Sequence, residues 1–294
     1  MTGRFAAYVT ALALLLAADR SCAEEAAPSS SPQRIVSLNL CVDQILVDLV
    51  PRSRIAALTH LAADPDVSAV VEQARGIRAT RGEAEVVLGL DPDLVIAGPY
   101  GVAATVSLLE RLGRRVVKVQ LASDLDAIRE TVRHVAHAVG ETARGEAVIA
   151  AFDQRLARVV AEQSAASAPS ALVYQVNSLA SGSGSLDDAV LRAAGYRNHS
   201  AVLGLGRGGG LSLEALVANP PDLLVLAGPV EQHRTVVAEN LRHPALATVR
   251  RTRPSVVLPW RTFLCGTPHV ADAVEYLSAA RHDVAASRNK MRAP

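Results

Sequence analysis

Between Glu141 and Ala166 the chain carries no proline, and Val148, Phe152, Leu156 and Val159 recur at three- and four-residue steps. That spacing predicts one long helix with a single apolar face. Glu146, Asp153, Arg155, Arg158 and Glu162 fall elsewhere around its axis. About 25 residues at 1.5 Å each would span roughly 38 Å, against about 11–12 residues for an ordinary helix. The segments on either side resemble each other, so the helix reads as a strut between two similar lobes. One long helix inside a single α/β domain is the alternative.

Before the strut, apolar runs alternate with amphipathic ones. Ile35-Val36-Ser37-Leu38, Ile55 to Thr59, Leu94 to Ala97 and Val116 to Val119 read as strands. Helices are predicted up to Val50, over 85–90, over 103–112, and from an Asp124 cap to Val139; residues 64–74 are helix or loop. After the strut the pattern restarts with strands at 171–176, 223–227 and 256–258 and helices at 186–194, 212–218 and about 270–281. Gly204 to Gly210 reads as a glycine-rich loop. Strand–helix alternation of this kind implies a parallel sheet with helices on its faces.

One phrase occurs twice. Glu85-Val-Val-Leu-Gly-Leu-Asp-Pro-Asp-Leu-Val-Ile-Ala-Gly-Pro99 matches Glu214-Ala-Leu-Val-Ala-Asn-Pro-Pro-Asp-Leu-Leu-Val-Leu-Ala-Gly-Pro229. In each, a glutamate precedes a Pro-Asp, and a buried strand then ends in Gly-Pro. Helix–turn–strand units of any doubly wound sheet explain the Pro-Asp and the apolar run, but not the matched glutamates.

The start of the chain changes the picture more than its totals do. Arg4, the apolar run Phe5 to Ala18 and Ser21-Cys22-Ala23 have the form of an export signal cut after Ala23. Cys22 raises a lipoprotein alternative, for which Asp19-Arg20-Ser21 is a poor lead-in. Cleavage leaves Cys41 and Cys265 as the only cysteines, and two thiols in an oxidising compartment often form a disulfide. A net charge of +1 gives no sign of a nucleic-acid partner.

Taken together, Arg34-Ile-Val-Ser-Leu38, the two glutamate phrases and Leu191-Arg-Ala-Ala-Gly-Tyr-Arg-Asn198 make residues 33–282 resemble the periplasmic substrate-binding proteins of ABC importers for cobalamin, iron-siderophores and haem. The resemblance implies an α/β fold of class III, two Rossmann-like lobes joined by a long backbone helix. It divides the chain into a signal peptide (1–23), flexible leader (24–33), N-terminal lobe (34–140), connecting helix (141–166), C-terminal lobe (167–285) and tail (286–294). It also implies a monomeric, non-enzymatic periplasmic receptor with no intrinsic cofactor. The receptor would capture a metal chelate (cobalamin, ferric siderophore or haem) and deliver it to an inner-membrane ABC permease through Glu85 and Glu214, with little lobe movement. The first loop departs from the family's Pro-Ser-x-Thr-Glu, reading Asn39-Leu-Cys41-Val-Asp43.

That loop and Trp260 to His269 leave the carboxyl ends of strands, where open α/β sheets bind ligands. Asn39, Cys41, His60, Tyr100, Asn177, Ser178, Trp260, Arg261 and Phe263 are therefore the candidate ligand contacts. An arginine beside large aromatics can stack on a macrocycle and pair with its carboxylates. His60 and His269 are candidate axial ligands to iron or cobalt, with surface or capping roles as the alternative. Cys41 and Cys265 are a disulfide tying the lobes, metal-coordinating thiolates, or free buried thiols. The second of these would make the protein a metal- or cofactor-handling scaffold or enzyme. Gly182-Ser-Gly-Ser185 lacks the lysine of a P-loop and the third glycine of the dinucleotide fingerprint, which argues against nucleotide binding. No Gly-x-Ser-x-Gly elbow supports a hydrolase.

Overall fold

The computed structural model describes residues 31–163, 168–228 and 241–292. The expected export signal, residues 24–30 of the leader, residues 164–166 of the connecting helix and the end of the tail lie outside them.

The first sheet holds β1 (Ile35–Ser37), β2 (Ile55–Thr59), β3 (Ala79–Thr80), β4 (Leu94–Ala97) and β5 (Val116–Lys118). Their order is β3-β2-β1-β4-β5, and every neighbouring pair is parallel. Between them run α1 (Leu40–Leu49), α2 (Val71–Ala74), α3 (Ala84–Gly89) and α4 (Ala103–Arg111). Successive residues of β4 face opposite ways, as the pleat requires. Leu94 and Ile96 pack with Ile45, Leu46 and Leu49 of α1, whereas Val95 and Ala97 pack with Val87 of α3 and Leu109 of α4. Burial on both faces is why these strands read as unbroken apolar runs.

Helix α5 (Leu125–Val139) begins where Asp124 accepts from the Ala127 amide at 2.8 Å. It ends at Gly140 with φ +75°, the left-handed cap that glycine adopts without a Cβ clash. The chain then turns into α6 (Thr142–Ala161). A Cβ at Gly145 would stand 2.5 Å from the Ala136 Cβ, so glycine lets α5 and α6 close on each other. The apolar stripe of α6 is shared: Ile149 enters the core of the first sheet, and Phe152, Leu156 and Val159 enter that of the second. Arg129 of α5 pairs with Asp153 at 2.7 Å, and Arg155 of α6 reaches both Asp272 and Glu275 at 2.6 Å. This is a strut fixed at both ends.

The second half contains β6 (Ser170–Tyr174), β7 (Leu179–Ser181), α7 (Leu186–Ala193), β8 (Arg197–Asn198), β9 (Gly208–Gly210) and α8 (Leu213–Ala218). These are followed by β10 (Leu223–Ala227), α9 (Pro244–Thr252), β11 (Ser255–Leu258), α10 (Val270–Ala279) and α11 (Arg281–Arg292). The sheet order is β11-β10-β6-β7-β9, with β8 beside β6. Here the parallel expectation needs correction, because β7 is antiparallel to both β6 and β9. The expected glycine-rich loop ends in a strand, since Gly208–Gly210 pairs with Leu179–Ser181. A Cβ at Gly182 would run into the backbone of 206–208, so only glycine admits that approach. The closing helix expected over about 270–281 is α10, and a further helix, α11, follows it.

Candidate ligand-binding cleft

The carboxyl ends of the first sheet carry Asn39, His60, Arg81 and Tyr100. Asn39 is committed to the frame. Its Oδ1 accepts from the Cys41 amide at 2.9 Å and the Val42 amide at 3.3 Å, capping α1, and its amide nitrogen lies where a Cβ on Gly98 would be. Beneath it, Asp43 is fully buried and accepts from the Thr59 amide at 3.2 Å and from the Thr59 hydroxyl. Burial pushes its carboxyl up from 3.8 to about 7, against the opposing hydrogen bonds of Ser37 and Thr59.

Thr59 hands the chain to His60, whose Nε2 lies 3.2 Å from Arg81 Nη1. A guanidinium only donates, so Nε2 accepts and the ring proton sits on Nδ1, which is buried without a partner among the described residues. The lone pair expected to bind a metal is therefore occupied. Arg81 was missed from sequence because β3 is too short to show any periodicity. Tyr100 is different. It follows the Gly98-Pro99 turn, is 73% exposed, and forms no hydrogen bond among the described residues.

On the second lobe the expected contacts separate. Phe263 is a correction: at 6% exposure it belongs to the core around Phe152 and Val274. Trp260 lies flat over Gly228, where a Cβ would come within 2.7 Å of the indole. Arg261 stays exposed and enters no ion pair among the described residues. Asn177 and Ser178, just past β6, hold φ of +59° and +56°, a left-handed pair that is costly for non-glycine residues and tends to cluster at ligand sites. The sequence reading also missed exposed apolar side chains beside these loops, Leu121 (43%) and Leu264 (50%). Leu121 shares a small cavity with Asn39, Cys41 and Gly266.

Cys41 and Cys265 are joined in a disulfide with Cα atoms 5.1 Å apart across 224 residues. Of the three alternatives the structure has the staple. Neither sulfur is left as a thiolate ligand, which removes the donor set of the metal-handling alternative. Among the described residues no cluster of three or more His, Cys, Asp or Glu side chains is placed to hold an ion. His269 does not face a ligand freely either, since its Nε2 stands 3.1 Å from Asp48 Oδ2.

The repeated phrase divides its labour. Asp93 accepts from the amides of Gln33 and Arg34 at 2.6 and 3.0 Å, and Asp222 from the amide and hydroxyl of Ser170 at 2.8 and 3.0 Å. Each aspartate thus holds the start of its sheet's central strand. The glutamates hold nothing comparable. Glu85, in the first turn of α3, is exposed without an ion pair or hydrogen bond among the described residues. Glu214, in the first turn of α8, is exposed as well. Its own amide and the Ser212 hydroxyl keep its carboxyl below the usual range, with His243 adding to the effect.

The family model for periplasmic binding proteins matches residues 35–253, from β1 into α9. The chain belongs to this family. Among solved periplasmic binding proteins, a heme-binding protein, RhuT, from Roseiflexus sp. RS-1 in apo form is 26% identical, with a TM-score of 0.72 over 86% of this chain and 99% of that one. A periplasmic heme-binding protein from Pseudomonas aeruginosa is 28% identical, with a TM-score of 0.66 over 85% of this chain and 92% of that one. The vitamin B12 binding protein BtuF of Vibrio cholerae, at 18% identity and a TM-score of 0.65 over 88% and 98%, shares the fold. A curated cobalamin-binding protein of Halobacterium salinarum is 26% identical over 199 residues, 67% of this chain but 54% of that protein. The chain thus spans about half the length of the curated relatives it matches. As a periplasmic binding protein it has the class III arrangement, two Rossmann-like lobes on a long backbone helix.

Proposed function

We propose that the chain is the exported, ligand-capturing component of an ABC importer, and that it carries an iron chelate of the haem type between its lobes. Tyr100 carries this reading. Its phenol is free at the end of β4, whereas the competing donors are engaged: His60 by Arg81, His269 by Asp48, and both cysteines by each other. Tyrosinate is an established axial ligand of haem iron. Arg261 is exposed and suited to pairing with a ligand carboxylate. Leu121 and Leu264 offer apolar surface of the kind that ligand pockets use. The relatives from Roseiflexus and Pseudomonas, both described as heme-binding, support the same ligand. The protein acts as a carrier, making and breaking no bond.

Delivery rests on Glu85 and Glu214. Exposed carboxylates on short, well-anchored helices suit charge-assisted pairing with arginines of a membrane permease. Cobalamin is the second reading, favoured by the Halobacterium relative. Titrating the purified protein with haemin, cyanocobalamin and a ferric hydroxamate separates the readings. One haemin should bind per chain and resist displacement by cyanocobalamin. Saturable binding of cyanocobalamin with none of haemin would replace the first reading by the second.

A further inference from the structure

Helix α1 presents Cys41, Gln44 and Asp48 on one side, three and four residues apart, as successive helical turns dictate. Facing them is a loop of the second lobe that offers alternate residues, Cys265, Thr267 and His269. The pairs form in register. Cys41 bonds to Cys265, the Thr267 hydroxyl donates to Gln44 Oε1 at 2.9 Å, and His269 Nε2 lies 3.1 Å from Asp48 Oδ2. Beside these residues, Ile45, Leu46 and Leu49 of α1 are packed into the first lobe's core. The loop runs directly into α10, whose Val270, Ala271, Val274 and Leu277 lie in the second lobe's core. Each half of this seam therefore moves with its own lobe. A Cβ at Gly266 would stand 2.5 Å from the Ala122 carbonyl oxygen, so the seam is closed tightly at the disulfide end.

The closed seam is not a polar optimum. Gln44 Nε2 is buried without a hydrogen-bond partner among the described residues, although its Oε1 accepts from Thr267. Burying a polar nitrogen unpaired costs its desolvation. This orphaned group lies on the surface where the lobes meet through α1, and parting the seam would return it to water.

We infer that this seam is a latch on the cleft, held shut by the Cys41–Cys265 bond and released by a dithiol reductant. In the release step two electrons and two protons pass from the dithiol to the disulfide. The dithiol closes to its own disulfide, and Cys41 and Cys265 become thiols. With the covalent clasp gone, hydration of Gln44 favours separation at the cleft end, while the ion pairs of α5, α6 and α10 keep the lobes joined. The consequence for the ligand rests on the reading that it lies between the lobes; the latch itself does not.

The test compares the full chain oxidised, reduced and capped with iodoacetamide after removal of reductant, and as the Cys41→Ser/Cys265→Ser variant. Small-angle scattering without ligand should show a larger radius of gyration for the two unclasped forms. Stopped-flow release of haemin to a scavenger should be at least tenfold faster from them. An unchanged radius together with a release rate within twofold of the oxidised protein would overturn the latch. If the oxidised protein takes up no haemin, the ligand reading fails and scattering alone decides the latch. If the Cys41→Ser/Cys265→Ser variant does not fold, adding dithiothreitol to the folded, haemin-loaded oxidised protein decides it: release at least tenfold faster with an unchanged far-ultraviolet circular dichroism spectrum supports the latch, and release within twofold overturns it.

Discussion

In the first lobe β1 runs directly into α1, whereas in the second the antiparallel β7 and the left-handed pair Asn177–Ser178 stand between β6 and α7. Around β4 and β10 the lobes agree instead. A Pro-Asp holds the neighbouring central strand, and a glutamate one helix earlier points to solvent. The shared parts build the frame and expose the carboxylates; the unlike parts follow the central strands β1 and β6. Under the proposed function, likeness between the lobes serves the permease, and the unlike segments after β1 and β6, with Tyr100 beyond β4, meet the ligand.

The comparison can be broken most forcibly by cutting the staple between the lobes. In the chain-entropy view, closing a loop as long as the 224 residues between Cys41 and Cys265 is worth up to about 5 kcal/mol. Calorimetry of Cys41→Ser/Cys265→Ser should show a loss approaching that ceiling and two resolved transitions, one per lobe. A single transition displaced by less than about 1 kcal/mol would show that the lobes do not depend on the bond.

The next largest effect is carried by buried carboxylates. Burial raises both Asp43 in the first lobe and Asp187 in the second, and hydroxyl and amide donors oppose it. Between the unfolded value of 3.8 and the folded value of about 7, the native state holds a proton on Asp43 that the unfolded chain has lost. Stability therefore falls as pH rises through this window and is regained on acidification. At 1.36 kcal/mol per tenfold, the full effect is roughly 4 kcal/mol. Denaturant unfolding of wild type and Asp43→Asn from pH 4 to 8 should give a difference that grows by this order toward pH 8, with Asn the more stable. A difference independent of pH would contradict the assignment.

Smaller still are the matched aspartates. Asp93→Ala and Asp222→Ala should each cost about 1–3 kcal/mol by leaving strand amides unpaired, and by similar amounts, because the two carboxylates do the same work. A large inequality would end the parallel between the lobes. Glu85→Gln and Glu214→Gln should change stability by less than about 0.5 kcal/mol and leave haemin affinity alone, yet each should abolish uptake by the permease in reconstituted vesicles. Full uptake by the double variant would remove the docking role.

Much of this was legible because it is periodic. The buried strands at Leu94–Ala97 and Leu223–Ala227, the cap at Asp124 and the doubled phrase all leave local marks. The second lobe's antiparallel strands do not, because Gly208–Gly210 has no side chains to alternate. Phe263 was misplaced for a related reason. The loop after β11 winds as a 3₁₀ turn over Trp260–Thr262, where residues three apart eclipse, so Phe263 follows Trp260 inward and leaves Arg261 outside. The seam between α1 and 265–269 was invisible because it matches a helical period to an alternating one across the length of the chain. Arg81 and the orientation of His60 depend on each other, and neither has a signature alone.

The proposed grip on a metal chelate centres on Tyr100, just beyond the Gly98-Pro99 turn that follows β4. Titration of haemin into wild type and Tyr100→Phe, followed through the Soret band and the phenolate-to-iron charge-transfer band, tests it most directly. The variant should lose the charge-transfer band and at least a hundredfold in affinity, roughly 2.7 kcal/mol. Identical spectra and affinities for the two proteins would contradict it.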